Sequence, residues 1–156
     1  MNESMAIFDF FKSRKCRNSL NEAVFDYDNR RHYTYTDLFS RAFRLVSFYE
    51  ELGLKPGDRV AIYARNGMIY FDVYYAFLYS KVISTSYNVK MSYEELILLL
   101  QEELPRVIFF DGEFINQIEK VKTAYPNCQF ICLDQDEYYE SPDIFLLEEY
   151  PDAIIL

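Results

Sequence analysis

Tyr87, Asn88 and Lys90 are the residues whose types and placement best suit a functional surface. They follow the strand-like run Val82 to Ser86, and in open α/β sheets ligands bind at the carboxyl ends of strands. Arg65 and Asn66 leave a second strand-like run, Arg59 to Ala64, in the same manner. The other reactive side chains have plainer explanations. His32, the sole histidine, sits between Arg31 and Tyr33 just before a helix, with no serine motif resembling a nucleophile elbow. It reads as a surface or turn residue rather than a general base. The acid pairs Glu94 and Glu95, Glu102 and Glu103, and Glu148 and Glu149 fall at helix starts or ends, where solvation and the helix dipole account for them. Cys16, Cys128 and Cys132 make an odd count without zinc-type spacing, which points to packed thiols and not to a disulfide framework or a metal cage. Cys128 and Cys132 are four apart in an apparent strand, so both side chains should share one face. Tyr70, Tyr74, Tyr75 and Tyr79 recur along one helix, and packing explains that stripe better than a ligand box. The four glycines, Gly53, Gly57, Gly67 and Gly112, lie too far apart for a phosphate-cradling loop. Nucleotide binding by this chain alone is therefore not expected, and no catalytic or metal-ligating residue is assigned.

The elements that would hold these residues alternate between helical and strand periods. GLKPGDRVAIYARN, Gly53 to Asn66, reads as a helix stop, a turn, a strand and a second turn. Gly53 can take left-handed dihedrals, Pro56 blocks continuation and Gly57 lets the chain reverse. Before it, Thr36 is expected to cap a helix in which Leu38, Ala42, Leu45, Val46, Tyr49 and Leu52 form one apolar stripe. After it come a helix from Met68 to Ser80, aromatic on nearly every side and suited to burial between layers, and the strand Val82 to Ser86. Ser92 and Glu95 form a capping box, worth about 1 kcal/mol, for a helix carrying Leu96, Leu99 and Leu100 that ends before Pro105. Val107 to Phe110 is a buried-type strand. Asp111 and Gly112 then turn the chain into a helix with Phe114, Ile115, Ile118 and Val121, stopped by Tyr125-Pro126-Asn127. Gln129 to Leu133 is again strand. Asp134 to Glu140 is an acidic exposed loop that lacks the pattern of a calcium site, Ser141 and Pro142 open a short helix, and Asp152 to Leu156 begins another strand. This alternation implies an α/β fold with a doubly wound, mainly parallel sheet and helices on both faces.

With 156 residues, 51% of them hydrophobic, the chain can bury one core. A formal charge of -9 argues against a nucleic-acid partner. The one basic cluster, Lys12, Arg14, Lys15 and Arg17, reads as a solvated face. No apolar run approaches the roughly 18 residues of a membrane span, and Met1 to Phe11 carries Glu3 and Asp9 where a signal peptide would be basic or apolar. A cytosolic setting is expected.

Taken in order, the motifs resemble the start of the adenylate-forming enzymes, the superfamily of acyl-CoA synthetases, adenylation domains and luciferases. The resemblance spans Asn21 to Leu156. It rests on RHYTYTDL at Arg31 to Leu38, GLKPGDRVAI at Gly53 to Ile62, Asn66, YAFLYSKVISTSYN at Tyr75 to Asn88, EEL at Glu94 to Leu96, and RVIFFDGEF at Arg106 to Phe114. The wording ISTSYN, then a Ser-x-x-Glu helix, then a Val-Ile-Phe strand looks more like fatty-acyl or aryl-CoA ligases than amino-acid adenylation domains. The family pattern has glycine near position 81, where this chain has Lys81, so a locally different backbone is expected there.

The resemblance implies two regions: a lead-in over residues 1–20, and over residues 21–156 an amino-terminal α/β subdomain that stops before the family's phosphate loop. PDAIIL, Pro151 to Leu156, looks like the strand that leads into that loop. A full-length relative would use ATP and Mg2+ to convert a carboxylic acid to an acyl-adenylate and then pass the acyl group to a thiol, commonly CoA. The loop matching Asn88 to Lys90 lies beside the CoA nucleotide in some relatives, so Asn88 and Lys90 are carried as candidate cofactor contacts. For the 156 residues themselves the resemblance implies scaffold, with no cofactor and no activity alone. The alternatives are a naturally short interaction module on the same scaffold, with the Asp134 to Glu140 loop serving a partner, and a fragment of an amino-acid adenylation domain. Oligomeric state and acyl substrate stay open.

Overall fold

The structure, a computed structural model, describes residues 20–133. The basic cluster and Cys16, the acidic loop, the helix expected at Ser141, Glu148 and Glu149, and the strand expected from Asp152 lie outside the described residues.

The chain first forms an antiparallel hairpin, β1 (Glu22–Asp26) and β2 (Arg31–Thr34), which sequence periodicity had not indicated. Asp26 closes its turn by accepting from the Asn29 amide at 3.1 Å and side chain at 2.9 Å. Helix α1 (Tyr35–Glu51) follows at once. Its cap is Thr34, two residues before the expected Thr36. The Thr34 hydroxyl accepts from the Asp37 amide while the Asp37 carboxylate accepts from the Thr34 amide. That reciprocal pair satisfies two donors at once, whereas Thr36 already lies within the first turn. The helix stops as expected at Gly53, whose φ is +71°. Gly53 N–H donates to the Glu50 carbonyl and Leu54 N–H to that of Tyr49, both at 2.9 Å, the paired bonds of a Schellman end.

Strand β3 (Arg59–Tyr63), helix α2 (Met68–Ser80), strand β4 (Ile83–Ser86), helix α3 (Tyr93–Glu103) and strand β5 (Val107–Phe110) follow in turn. A short 3-10 turn, Gly112–Phe114, then leads into helix α4 (Ile115–Ala124) and strand β6 (Gln129–Cys132). The last four strands form one parallel sheet in the order β4-β3-β5-β6. Val60 and Ile62 of β3, with Val107 and Phe109 of β5, pack with α1 and α2; Ala61, Tyr63, Ile108 and Phe110 pack with α3 and α4. Strands covered on both faces need apolar residues at consecutive positions, which is why VAIY and VIFF lack alternation. The doubly wound, mainly parallel architecture therefore stands, with the hairpin as an outer addition resting on Leu38, Ala42 and Tyr75.

Two features depart from the sequence reading. The all-round burial expected of α2 holds for only part of its circumference: Ile69, Val73 and Ala76 face the core, while Phe71 and Phe77 are each 42% exposed. Lys81 does not distort the chain away from a glycine-like geometry; it adopts one, with φ +57°. Its ammonium donates to the Leu78 carbonyl at 2.8 Å and lies over the Phe77 ring, contacts that offset part of the left-handed strain. Helices α1 and α2 are joined by an ion pair in which Arg41 donates to both carboxylate oxygens of Asp72, at 2.9 and 2.7 Å, and Asp72 has 0% of its surface exposed.

Candidate functional site

The strand order places a topological switch point between β3 and β5, because the chain leaves β3 toward β4 and then crosses back to the other side. Arg65 leaves β3 at this point, and Asp111 to Glu113 leave β5. The Arg65 backbone N–H donates to Asp111 Oδ2 at 2.6 Å, its Nη2 donates to Glu113 Oε2 at 2.8 Å, and its Nε pairs with the other oxygen of that carboxylate. The bond to Glu113 raises the Arg65 pKa, and the Arg65 bond holds the Glu113 carboxyl below its ordinary range. The crevice where an open α/β sheet would take a phosphate is thus bridged by the protein's own groups. An incoming nucleotide would meet two carboxylates, and the amide that could donate to it is engaged already. The groups at this edge do not fit the triphosphate of ATP. Among the described residues no group of three His, Cys, Asp or Glu side chains is arranged to hold a metal ion.

One strand away, the loop after β4 splits the expected trio. Tyr87 is buried, donates its backbone N–H to the Ile62 carbonyl at 2.8 Å, and turns its hydroxyl to Glu103 Oε2 at 3.3 Å. Burial pushes its phenol pKa up, and the Glu103 charge adds to that. It is a packing residue. Asn88 and Lys90 remain exposed. Asn88 Oδ1 accepts from the Lys90 amide at 2.9 Å, and its backbone carbonyl accepts from the Met91 amide at 3.0 Å. From beneath, the Tyr63 hydroxyl donates to the Val89 carbonyl at 3.1 Å and Gln117 Nε2 to that of Met91 at 3.5 Å. The loop is held by four such bonds while its one ammonium faces out, an arrangement that suits contact with an anionic group at the edge of a ligand.

The remaining candidates are structural. His32 is exposed on β2, paired with Glu22 and stacked on Phe25 at 4.5 Å. Cys128 and Cys132 share one core cluster, as their spacing predicts, and burial pushes the Cys128 thiol up to about 12. In the tyrosine stripe, the Tyr70 hydroxyl donates to the Ala64 carbonyl, Tyr75 is buried and Tyr79 packs on Phe43, whereas Tyr74 is 54% exposed. Asn66 lines a cleft of about 350 Å³ with Phe25, Met68 and Phe71. Sequence spacing missed Asp111 and Glu113 as partners of Arg65, since 46 and 48 positions separate them.

A profile of the AMP-binding enzyme family matches residues 12–152. The chain belongs to the AMP-binding enzyme family. It is 24% identical, over 156 residues and 96% of its length, to the long-chain-fatty-acid–CoA ligase of Thermus thermophilus, of which it covers 27%. Among solved structures it resembles a Mycobacterium tuberculosis fatty acyl CoA synthetase, with a TM-score of 0.78 and 16% identity over 85% of this chain and 28% of that one. A benzoate CoA ligase from Burkholderia xenovorans gives a TM-score of 0.74 and 17% identity over 86% and 28%. At these identities the structural likeness shows the fold. The chain spans between 15% and 27% of the length of the curated relatives it matches. No described helix is long and apolar enough to cross a membrane.

Proposed function

We propose that these residues form the amino-terminal scaffold subdomain, residues 21–156, of an acyl-CoA synthetase-type AMP-binding enzyme, and that this piece is inactive alone. The observation that supports the reading is that Arg65 at the switch point is engaged by Asp111 and Glu113. With those donors engaged, the nucleotide would be taken on other segments of the whole enzyme. The whole enzyme would use ATP and Mg2+ to activate a carboxylic acid, fatty or aromatic, and transfer it to CoA in the cytosol. Preorganised donors for the charge that develops at the α-phosphate would come from outside the described residues. Asn88 and Lys90 would contribute one outward cation beside the CoA nucleotide, worth a change in CoA affinity rather than in the chemical step.

The test is carboxylate-dependent pyrophosphate exchange by the 156-residue chain and by the product of the same reading frame extended past Leu156. The reading expects exchange only from the extended protein; turnover by the short chain rejects it. In the extended protein, Lys90→Ala should raise the KM for CoA several-fold with pyrophosphate exchange unchanged.

A further inference from the structure

The loop between β4 and α3 is braced by two elements distant from it in sequence. Tyr63, the last residue of β3, is fully buried in a strand covered on both faces, where a phenylalanine would pack as well. Its hydroxyl is spent on the Val89 carbonyl, 26 positions along the chain, at 3.1 Å. The Phe114 ring meets the Tyr63 ring edge to face at 5.1 Å and helps to hold it in place. Gln117 of α4 is half-buried, and its Nε2 donates to the Met91 carbonyl at 3.5 Å. The two pinned carbonyls flank Lys90. The Lys90 amide donates to Asn88 Oδ1 at 2.9 Å, and the Met91 amide to the Asn88 carbonyl at 3.0 Å. The backbone on either side of Lys90 is therefore fixed from beneath while its own side chain is exposed.

A cation carried on a loop that is already ordered loses less freedom when it meets an anion, so the bracing acts on affinity. We propose that Tyr63 is a positioning residue for CoA: by holding the Val89 carbonyl, with Gln117 on that of Met91, it presents Lys90 to an anionic group of the coenzyme. This inference rests on the reading of Asn88 and Lys90 as CoA contacts in the whole enzyme. It adds that a side chain of the sheet, which never touches the coenzyme, sets how well that contact is made. The hydroxyl is the part of Tyr63 that the packing of the sheet does not require.

The test is the KM for CoA of the protein extended past Leu156, measured for Tyr63→Phe, Lys90→Ala and the double variant. Tyr63→Phe keeps the ring and removes one neutral hydrogen bond, so the KM should rise about two- to tenfold. The rise should not exceed that of Lys90→Ala, and kcat at saturating CoA should not change. The double variant should match Lys90→Ala alone, because the phenol acts only through the ammonium. Tyr87→Phe removes a buried hydroxyl that is bonded to Glu103 and not to the loop, and should leave the KM at the parent value. A KM raised by Lys90→Ala but not by Tyr63→Phe would overturn the proposal and leave the reading of the loop intact. Effects that multiply in the double variant, or an equal rise in Tyr87→Phe, would overturn it too. An unchanged KM in Lys90→Ala would remove the CoA contact itself, and the proposal with it.

Discussion

Removing the carboxylate of Asp72 should be among the most damaging single changes available in this chain. The group is fully buried and receives two guanidinium bonds from Arg41, which is itself mostly buried and lies 5.4 Å from the centre of the Tyr33 ring. Asp72→Ala leaves that guanidinium in the interior without its bidentate partner, a loss of about 3–5 kcal/mol. Against a total stability of roughly 5–15 kcal/mol, that is at least about a fifth of what holds the fold. For a chain of this size it corresponds to a fall in Tm of about 6–20 °C. With 15 tyrosines and no tryptophan, the transition is best followed by far-UV circular dichroism in urea and by tyrosine fluorescence. The paired change Arg41→Met with Asp72→Leu removes both charges together and should recover most of the loss, since apolar replacements of buried pairs are often neutral or better. A cost below about 1 kcal/mol for Asp72→Ala, the range of an exposed pair, would refute the reasoning. So would a double variant no more stable than the single one.

Three further outcomes follow from particular contacts. Lys81→Gly relieves a left-handed conformation that costs a side-chain-bearing residue about 1–2 kcal/mol, less the lost contacts to Leu78 and Phe77, so its urea midpoint should rise slightly; a clear fall would show those contacts to dominate. Burial alone would raise the Asp58 pKa, yet the Lys55 amide and the Arg106 guanidinium together hold it below its ordinary value. Its contribution to stability is therefore complete above the unfolded value near 3.8 and is lost as pH falls through the lower folded value. The Tm gap between parent and Asp58→Asn should accordingly be largest near neutrality and close in acid. Finally, Cys128, with its thiol pushed up to about 12, should resist alkylation at pH 7.5 in the folded protein and react on unfolding, as read by peptide mapping; rapid native labelling would contradict its burial.

What the sequence made legible was whatever its local physics decided. Gly53, Pro56 and Gly57 announced a helix end and a turn because few other residues can take those dihedrals, and the runs VAIY and VIFF announced strands covered on both faces. Ser92 and Glu95 cap α3 as their spacing requires. The cap at Thr34 is hard to tell from Thr36 because two threonines precede the same apolar stripe, although Thr34 and Asp37 carry the three-residue spacing that decides the matter. The hairpin was hidden because its strands are short and half-exposed, so no alternation stands out. Long-range pairings were out of reach. Asp72 is the one charged residue within Met68–Ser80, a sign that it needs a partner once buried, but nothing local names Arg41 as that partner. Likewise the Arg65 latch to Asp111 and Glu113 exists only because β3 and β5 are neighbours in the sheet. The exposure of Asn88 and Lys90 could be guessed from their place after a strand, whereas Tyr87 went inward because Glu103 and the α3 side of the sheet receive it.

We propose that the described residues carry no nucleotide site of their own, the donors at the switch point being engaged by Asp111 and Glu113. Isothermal titration of ATP into the 156-residue chain, with and without Mg2+, tests it most directly. The account expects no saturable heat at millimolar ATP in either condition. Stoichiometric, magnesium-dependent binding in the micromolar range would contradict it.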